Sequence, residues 1–518
     1  MSIIDRTYGK KKQLAINLIS QIIAYAVSIG VSFVITPYIT AKLGKDVYGF
    51  VGMAYQVTSY ITIFTISLNG MLNIFVSTRY HQGKIEDAAE LFHSVLEIDV
   101  IAAVILSIGL GFVVVFLQFI LDVPAGSLRD IKLLWGLIFG TFVLNLAIGP
   151  FSVGTYIKNR LDLTGIWNIE ANLMRGAILM AFYFLLPAKV WYIGFASFVS
   201  GILLNIMNIS SFGKLVPEIG VHLAKISWKV VKELFLVGIW NAVGQLNYVL
   251  NNGLDLLIAN VALNALEMGY LSYAQTVPIQ IVSLLTTIES SFAPDLTKSY
   301  ARGEIDQFIT DVRSAIKICG FLGSVPILGF IVFGRDFYHL WLPTLTHAEV
   351  VKINILSVLI LLPTVFNVYI SPLNNVNSIT RNIKIPAIVS FVIGVVNIVV
   401  ELILVHTTNL GIYAIEIVTA VLLTAQVLVF LPLYAAWNLK VSWDTFYKPL
   451  GRGMAATAAV LVIFLGIHRL VNIDGWLALI LVCLAAAVVG YAVNYFLILD
   501  SEDKKFVCSK LTAKLHRS

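Results

Sequence analysis

Tyr80-His81-Gln82-Gly83-Lys84-Ile85-Glu86 returns 220 residues later as Tyr300-Ala301-Arg302-Gly303-Glu304-Ile305-Asp306, with tyrosine, glycine, isoleucine and an acid in register. Both segments are polar, where accidental identity is rarer than between apolar runs, and each leads through an amphipathic stretch into an apolar one. The same shift, without a gap, sets Gly49 on Gly269, Ala54 on Ala274, Val57 on Val277 and Ile61 on Ile281. Further on it sets Ser94 on Ser314, Gly109 on Gly329 and Lys132 on Lys352. A shift of 224 brings Asn17 and Gln21 onto Asn241 and Gln245. The chain is an internal duplication, a form of self-similarity common in membrane transporters.

Outward from that loop the sequence is apolar almost throughout. Of 518 residues 58% are hydrophobic and only 12% charged, with a mean hydropathy of +0.89. A water-facing surface needs about twice that charge, whereas a lipid-facing one does not. Runs long enough to span a bilayer fall near 14–38, 47–76, 95–121, 131–154, 166–187, 190–212, 234–260, 269–293, 316–334, 351–376, 386–406, 410–436, 453–470 and 475–499. The expected fold is an all-α integral membrane protein of about 14 transmembrane helices. Two six-helix repeats fill 1–212 and 234–436, joined by a cytoplasmic linker at 213–233, and 437–518 adds two further helices and a basic tail. An even helix number per repeat gives both the same orientation. They are therefore expected to be related by an axis along the membrane normal, with the substrate path between them.

Basic residues set the orientation. With the N-terminus cytoplasmic, 26 of the 35 Lys and Arg fall on that side and eight on the other, leaving Arg175 inside a helix. Both ends are then expected in the cytoplasm of a bacterial cell (inner) membrane. The first apolar stretch is too long for a signal-peptide core and no cleavage pattern follows it, so it reads as a retained helix. Cys319, Cys483 and Cys508 form no metal or disulfide pattern. The net charge of +6 is a topology signal, and no nucleic acid is expected as a partner.

The 12+2 plan, the repeated halves, the Leu43-Gly44-x-x-x-Tyr48-Gly49 turn and the Arg79-Tyr80-His81-Gln82-Gly83-Lys84 loop resemble the polysaccharide flippases of the multidrug/oligosaccharidyl-lipid/polysaccharide exporter superfamily. The resemblance covers essentially the whole chain. It implies alternating access by two six-helix bundles that carry a polyprenyl-pyrophosphate-linked oligosaccharide from the cytoplasmic to the outer leaflet. The partners it implies are that lipid-linked oligosaccharide, membrane lipids and other polysaccharide-assembly proteins.

Polar residues within the spans are the candidate site. Asn241, Gln245, Tyr248, Asn252 and Asp255 are spaced by four, three, four and three, which places them on one face of a regular helix. With Asn17 and Gln21 they either line a sugar-binding cavity or form an interhelical hydrogen-bond seam. Arg175 lies mid-helix, where a charge costs at least about 2.5–3.5 kcal/mol, and its fork suits a pyrophosphate; a salt bridge with Glu170 is the structural alternative. Asp255 and Glu289 are the leading candidates for H⁺ or Na⁺ coupling, ahead of Glu401 and Glu416 and of Glu97 and Asp99 near a cytoplasmic boundary, and no other cofactor or metal is expected.

Two other functions compete. A cation-coupled multidrug exporter would keep the fold, but the central buried charge here is an arginine, which favours an anionic cargo. A membrane-embedded polymerase or glycosyltransferase needs catalytic groups gathered on a substantial surface loop. The outer loops here are short and carry no paired-carboxylate or metal motif, so the chain is read as a transporter and not an enzyme.

Overall fold

The computed structural model describes residues 10–221, 226–500 and 503–504. Every ordered element in them is a helix, and a helix stands at each of the fourteen expected places. These are α1 (Lys10–Leu43), α2 (Lys45–His81), α3 (Ile85–Val115), α4 (Leu128–Ile157), α5 (Leu161–Leu185), α6 (Trp191–Leu215) and α7 (Trp228–Tyr248). There follow α8 (Ala265–Ser290), α9 (Ile305–Trp341), α10 (His347–Ile370), α11 (Lys384–Thr407), α12 (Ile412–Asn438), α13 (Tyr447–Leu470) and α14 (Trp476–Leu497). Over the described residues ten of them are long and apolar enough to cross a membrane. α5 falls short because Asn168, Glu170, Asn172 and Arg175 dilute its apolar surface.

The repeat is visible bond by bond at the loops that revealed it. Gly83 and Gly303 both take a left-handed backbone, φ +78° and +75°, which glycine adopts without a Cβ penalty. The Gly83 N–H donates to the Tyr80 carbonyl at 3.1 Å and that of Gly303 to Tyr300 at 3.0 Å. Next along the chain, Lys84 bonds back to Arg79 and Glu304 to Ser299 in the same way.

Packing divides the chain into two compact units: Met1–Val249 with Leu256–Gly269, and Leu250–Asp255 with Tyr270–Ser518. Sequence ancestry and packing thus cut the chain differently, because α7 lies along α2. In the first unit Phe92, Phe151 and Phe212 form an aromatic knot, with Phe92 stacked on Phe212 at 4.5 Å between ring centroids. Gly49 and Gly269, equivalent in the two repeats, meet there backbone to backbone; a Cβ on Gly269 would stand 2.3 Å from the Lys45 carbonyl oxygen. In the second unit α13 and α14 dock on α9, burying Val325, Phe333, Phe464 and Leu479.

The chain beyond α14 is tied back to α9 by Lys317, whose ammonium donates to Asp500 at 2.9 Å and to Asp503 at 2.6 Å. Hydrogen bonding from Lys317 holds the Asp500 carboxyl below its ordinary range. A depressed acid stabilises the fold fully above its unfolded value near ~4, and that contribution is lost as pH falls through the folded value. Lys317→Ala is therefore expected to cost about 2 kcal/mol at neutral pH, with buried Asp503 left without its cation and keeping the Asp500 N–H as a donor. Thermal scans of variant and wild type should converge below about pH 4.

Candidate functional site

In the first unit α1 is clamped to the start of α5. Helix N-termini leave backbone N–H groups without intrahelical partners; here the Asp162 N–H donates to Asn17 Oδ1 at 2.9 Å. Asn17 Nδ2 donates to the Asn159 carbonyl at 3.1 Å, and Gln21 Nε2 to the Leu161 carbonyl at 2.8 Å. Gln13 Nε2 bridges Asn17 Oδ1 and Asp162 Oδ1, and Arg160 grips both Asp162 oxygens at 3.0 Å. Gly165 permits the close approach, since a Cβ there would stand 2.8 Å from that of Ser20. The amides of Asn17 and Gln21, two of the expected sugar contacts, are thus taken up in holding α1 to α5.

Arg175 sits 13 residues beyond Asp162, about 20 Å up α5. Gly176 packs on Val31 of α1 and fixes its register. Among the described residues the half-buried guanidinium gives one hydrogen bond, Nη2 to Ser32 Oγ at 3.2 Å, out of five donors. Glu170 is exposed, and among the described residues no ion pair joins it to Arg175. Asn168 and Asn172 spend their amides on their own helix, donating to the Thr164 and Asn168 carbonyls.

The seventh helix does not keep the regular period on which the expected polar stripe depends. After Tyr248 the helix opens into π-helical turns at Val249–Gly253 and Ala259–Leu263, whose i→i+5 bonds break the 3.6-residue period on which that reading depends. Gln245 donates to the Ser59 carbonyl at 3.1 Å, Tyr248 is half exposed, and Asp255 is buried. The side chains of Asn241 and Asn252 lie outside the described residues.

In the second unit the segment Leu250–Asp255 rests on α11. Gly394 makes room for Leu250, and Asn251 Nδ2 donates to the Ser390 carbonyl at 3.2 Å. This brings Asp255 within electrostatic range of Glu401 on α11 and Glu416 on α12, all three buried. Glu401 Oε1 accepts from Asn397 Nδ2 at 2.7 Å and from Thr419 Oγ1 at 2.8 Å. Glu401 Oε2 and Glu416 Oε1 make no hydrogen bond. Three buried carboxylates served, among the described residues, by neutral donors (the Asn397 amide, the Thr419 hydroxyl and the Asp255 backbone N–H) cannot all be ionised without compensation, so the cluster calls for protons or a bound cation. The described residues hold no group of three or more His, Cys, Asp or Glu side chains arranged for a metal ion. Glu289 stands apart from the cluster, beside Ser371 and Cys319. Asn397 and Thr419 did not stand out in the sequence, although their spacings of four from Glu401 and three from Glu416 put each on its carboxylate's own face.

The helical fold of the described residues is similar to that of solved membrane transporters and a flippase. An inward-facing multidrug resistance MATE family transporter of the MOP superfamily matches with a TM-score of 0.66 at 14% identity, covering 83% of this chain and 97% of that one. The lipid II flippase MurJ in an inward closed conformation matches with a TM-score of 0.64 at 13% identity, covering 91% and 98%. A MOP-superfamily transporter from Pyrococcus furiosus, described as having a binding pocket of reverse polarity, matches with a TM-score of 0.59 at 13% identity, covering 82% and 95%. In sequence the chain is similar to the uncharacterized membrane protein EpsK of Bacillus subtilis, 25% identical over 502 residues and covering 96% of this chain and 98% of that protein. No family model matches.

Proposed function

We propose that the protein is a flippase that moves a polyprenyl-pyrophosphate-linked oligosaccharide from the cytoplasmic to the outer leaflet of the bacterial cell membrane, with both termini cytoplasmic. The observation that carries this reading is Arg175: a cation kept mid-membrane on α5 with one hydrogen bond, to Ser32, and no ion pair among the described residues. A fold keeps such a charge at a cost of several kcal/mol, and a pyrophosphate is the ligand a guanidinium fork matches best. The resemblance to polysaccharide flippases and the likeness of fold to a lipid II flippase support the same class of cargo.

In detergent, a polyprenyl-pyrophosphate oligosaccharide is expected to raise the melting temperature, whereas a neutral polyprenyl glycoside is not. Saturation at 100 times the Kd corresponds to about 2.7 kcal/mol. Stabilisation by cationic dyes alone would favour the second reading, a cation-coupled drug exporter, which the MATE likeness keeps in view.

Coupling is assigned to the cluster of Asp255, Glu401 and Glu416, with Asn397 and Thr419 presenting Glu401 to a proton or Na⁺. Glu401→Gln keeps the shape and removes one charge. It is expected to fold, and to lose the response of transport to an imposed H⁺ or Na⁺ gradient. An unchanged response would remove Glu401 from the coupling path.

A further inference from the structure

The 220-residue shift also carries Asn69 onto Glu289 and Asp99 onto Cys319. Within the first unit Asn69 of α2 faces Asp99 of α3, and within the second Glu289 of α8 faces Cys319 of α9. Equivalent positions of the two helix pairs therefore lie near one another in both units, although α2 packs along α3 more extensively than α8 along α9. Each meeting point holds one carboxylate, but on opposite helices of the pair.

Asp99 is 1% exposed, and neither of its oxygens makes a hydrogen bond, although the Asn69 amide lies beside it. Its surroundings hold no compensating cation among the described residues. On α4, Arg129, Asp130 and Lys132 cluster near the first turn, and Lys132 Nζ bonds the Val115 carbonyl at 2.6 Å. That is sixteen residues, about 24 Å, along α3 from Asp99. On α2 the charges stand at the two ends, Lys45 and Asp46 at one and Arg79 and His81 at the other. On α7 the nearest described cation, Lys232, is exposed. On α3 itself Glu97 points to another face, and buried His93 has its ring against Phe92. Around Glu289 the neighbours are the Ser371 hydroxyl and the Cys319 thiol, while Lys317 on α9 is spent on Asp500 and Asp503. Lys298 and Arg302, on and just after the short helix Ala293–Ala301, are exposed.

An unpaired carboxylate in a membrane interior ionises only where water reaches it. We propose that Asp99 and Glu289 are a matched pair of proton-binding sites, one in each repeat, each exchanging its proton when its own helix pair opens to water. This goes beyond coupling at Asp255, Glu401 and Glu416, because it places a proton site in the first unit as well. Its functional arm alone rests on the flippase reading.

The test is a pH titration of the full-length protein in lipid nanodiscs, read by the infrared carbonyl stretch of protonated carboxylic acids. Asp99→Asn is expected to delete one titrating band and Glu289→Gln another. The exchange N69D/D99N, which copies the arrangement of the second repeat, is expected to restore the first, and Asp99→Glu keeps it should the amide variant misfold. In proteoliposomes, a gradient of one pH unit is expected to change the wild-type flipping rate by up to about tenfold per coupled proton, and less in either single variant. Retention of every titrating band in D99N and E289Q, or an exchange variant lacking the band like D99N, would overturn the proposal. Because the bands report on the protein whether or not it flips, a failure of flipping alone counts against the flippase reading and leaves the proton sites to be decided by the spectra.

Discussion

Arg175→Ala is expected to lower the flipping rate about 100-fold while leaving the melting temperature unchanged or slightly raised. The two halves of that expectation have separate causes. Loss of charge-assisted hydrogen bonds to a pyrophosphate removes about 3 kcal/mol of binding, which is about two decades. In the fold, the guanidinium gives up one hydrogen bond to Ser32 and relieves the cost of a charge at mid-membrane. A residue kept for stability would lose both properties together. Arg175→Lys, a point charge without the fork, should fall between wild type and alanine. A melting temperature that drops in step with activity would make Arg175 a structural residue.

Gly320→Val is expected to prevent accumulation of folded protein. The Tyr369 ring is fully buried between α9 and α13, and its hydroxyl donates to the Gly453 carbonyl at 3.0 Å and is paired with Thr457 Oγ1 at 2.8 Å. A Cβ on Gly320 would stand 1.8 Å from a ring carbon, and one on Gly453 would stand 2.3 Å from it. Neither helix can yield cheaply, because α9 also carries α13 and α14. Overpacking of this severity exceeds the usual ~1–3 kcal/mol and reaches the range in which membrane domains fail to assemble. Gly320→Ala combined with Tyr369→Leu should recover part of the loss, giving a favourable coupling in a double-mutant cycle. Normal yield of monodisperse Gly320→Val protein would show that the ring is not so confined.

Neither glycine could be singled out from sequence, since which of 36 glycines faces an aromatic ring is a property of packing. What was legible is what repeats or has a period. Apolar runs of bilayer length located the helices, and the polar loops at Tyr80 and Tyr300 gave the duplication, down to the same left-handed glycine. The site was legible only in part. Asp255, Glu401 and Glu416 could be named as membrane carboxylates, but not as one cluster, because they come together only through the packing of the segment Leu250–Asp255 on α11 and the proximity of α12. The stripe from Asn241 to Asp255 rested on a regular period that the π-turn after Tyr248 interrupts, and a π-turn leaves no mark in a residue pattern. Asn17 and Gln21 read as cavity lining ahead of a seam, and no residue pattern shows the backbone that they bond at the start of α5, 140 residues away.

The central claim, that the cargo is an anionic lipid-linked glycan, is tested most directly in proteoliposomes loaded with a fluorescent polyprenyl-pyrophosphate oligosaccharide. Transfer between leaflets is followed by the access of a membrane-impermeant quencher. The account predicts protein-dependent flipping that is competed by pyrophosphate-bearing lipids and lost in Arg175→Ala. Equal flipping in liposomes with and without the protein, alongside protein-dependent efflux of cationic dyes, would contradict it.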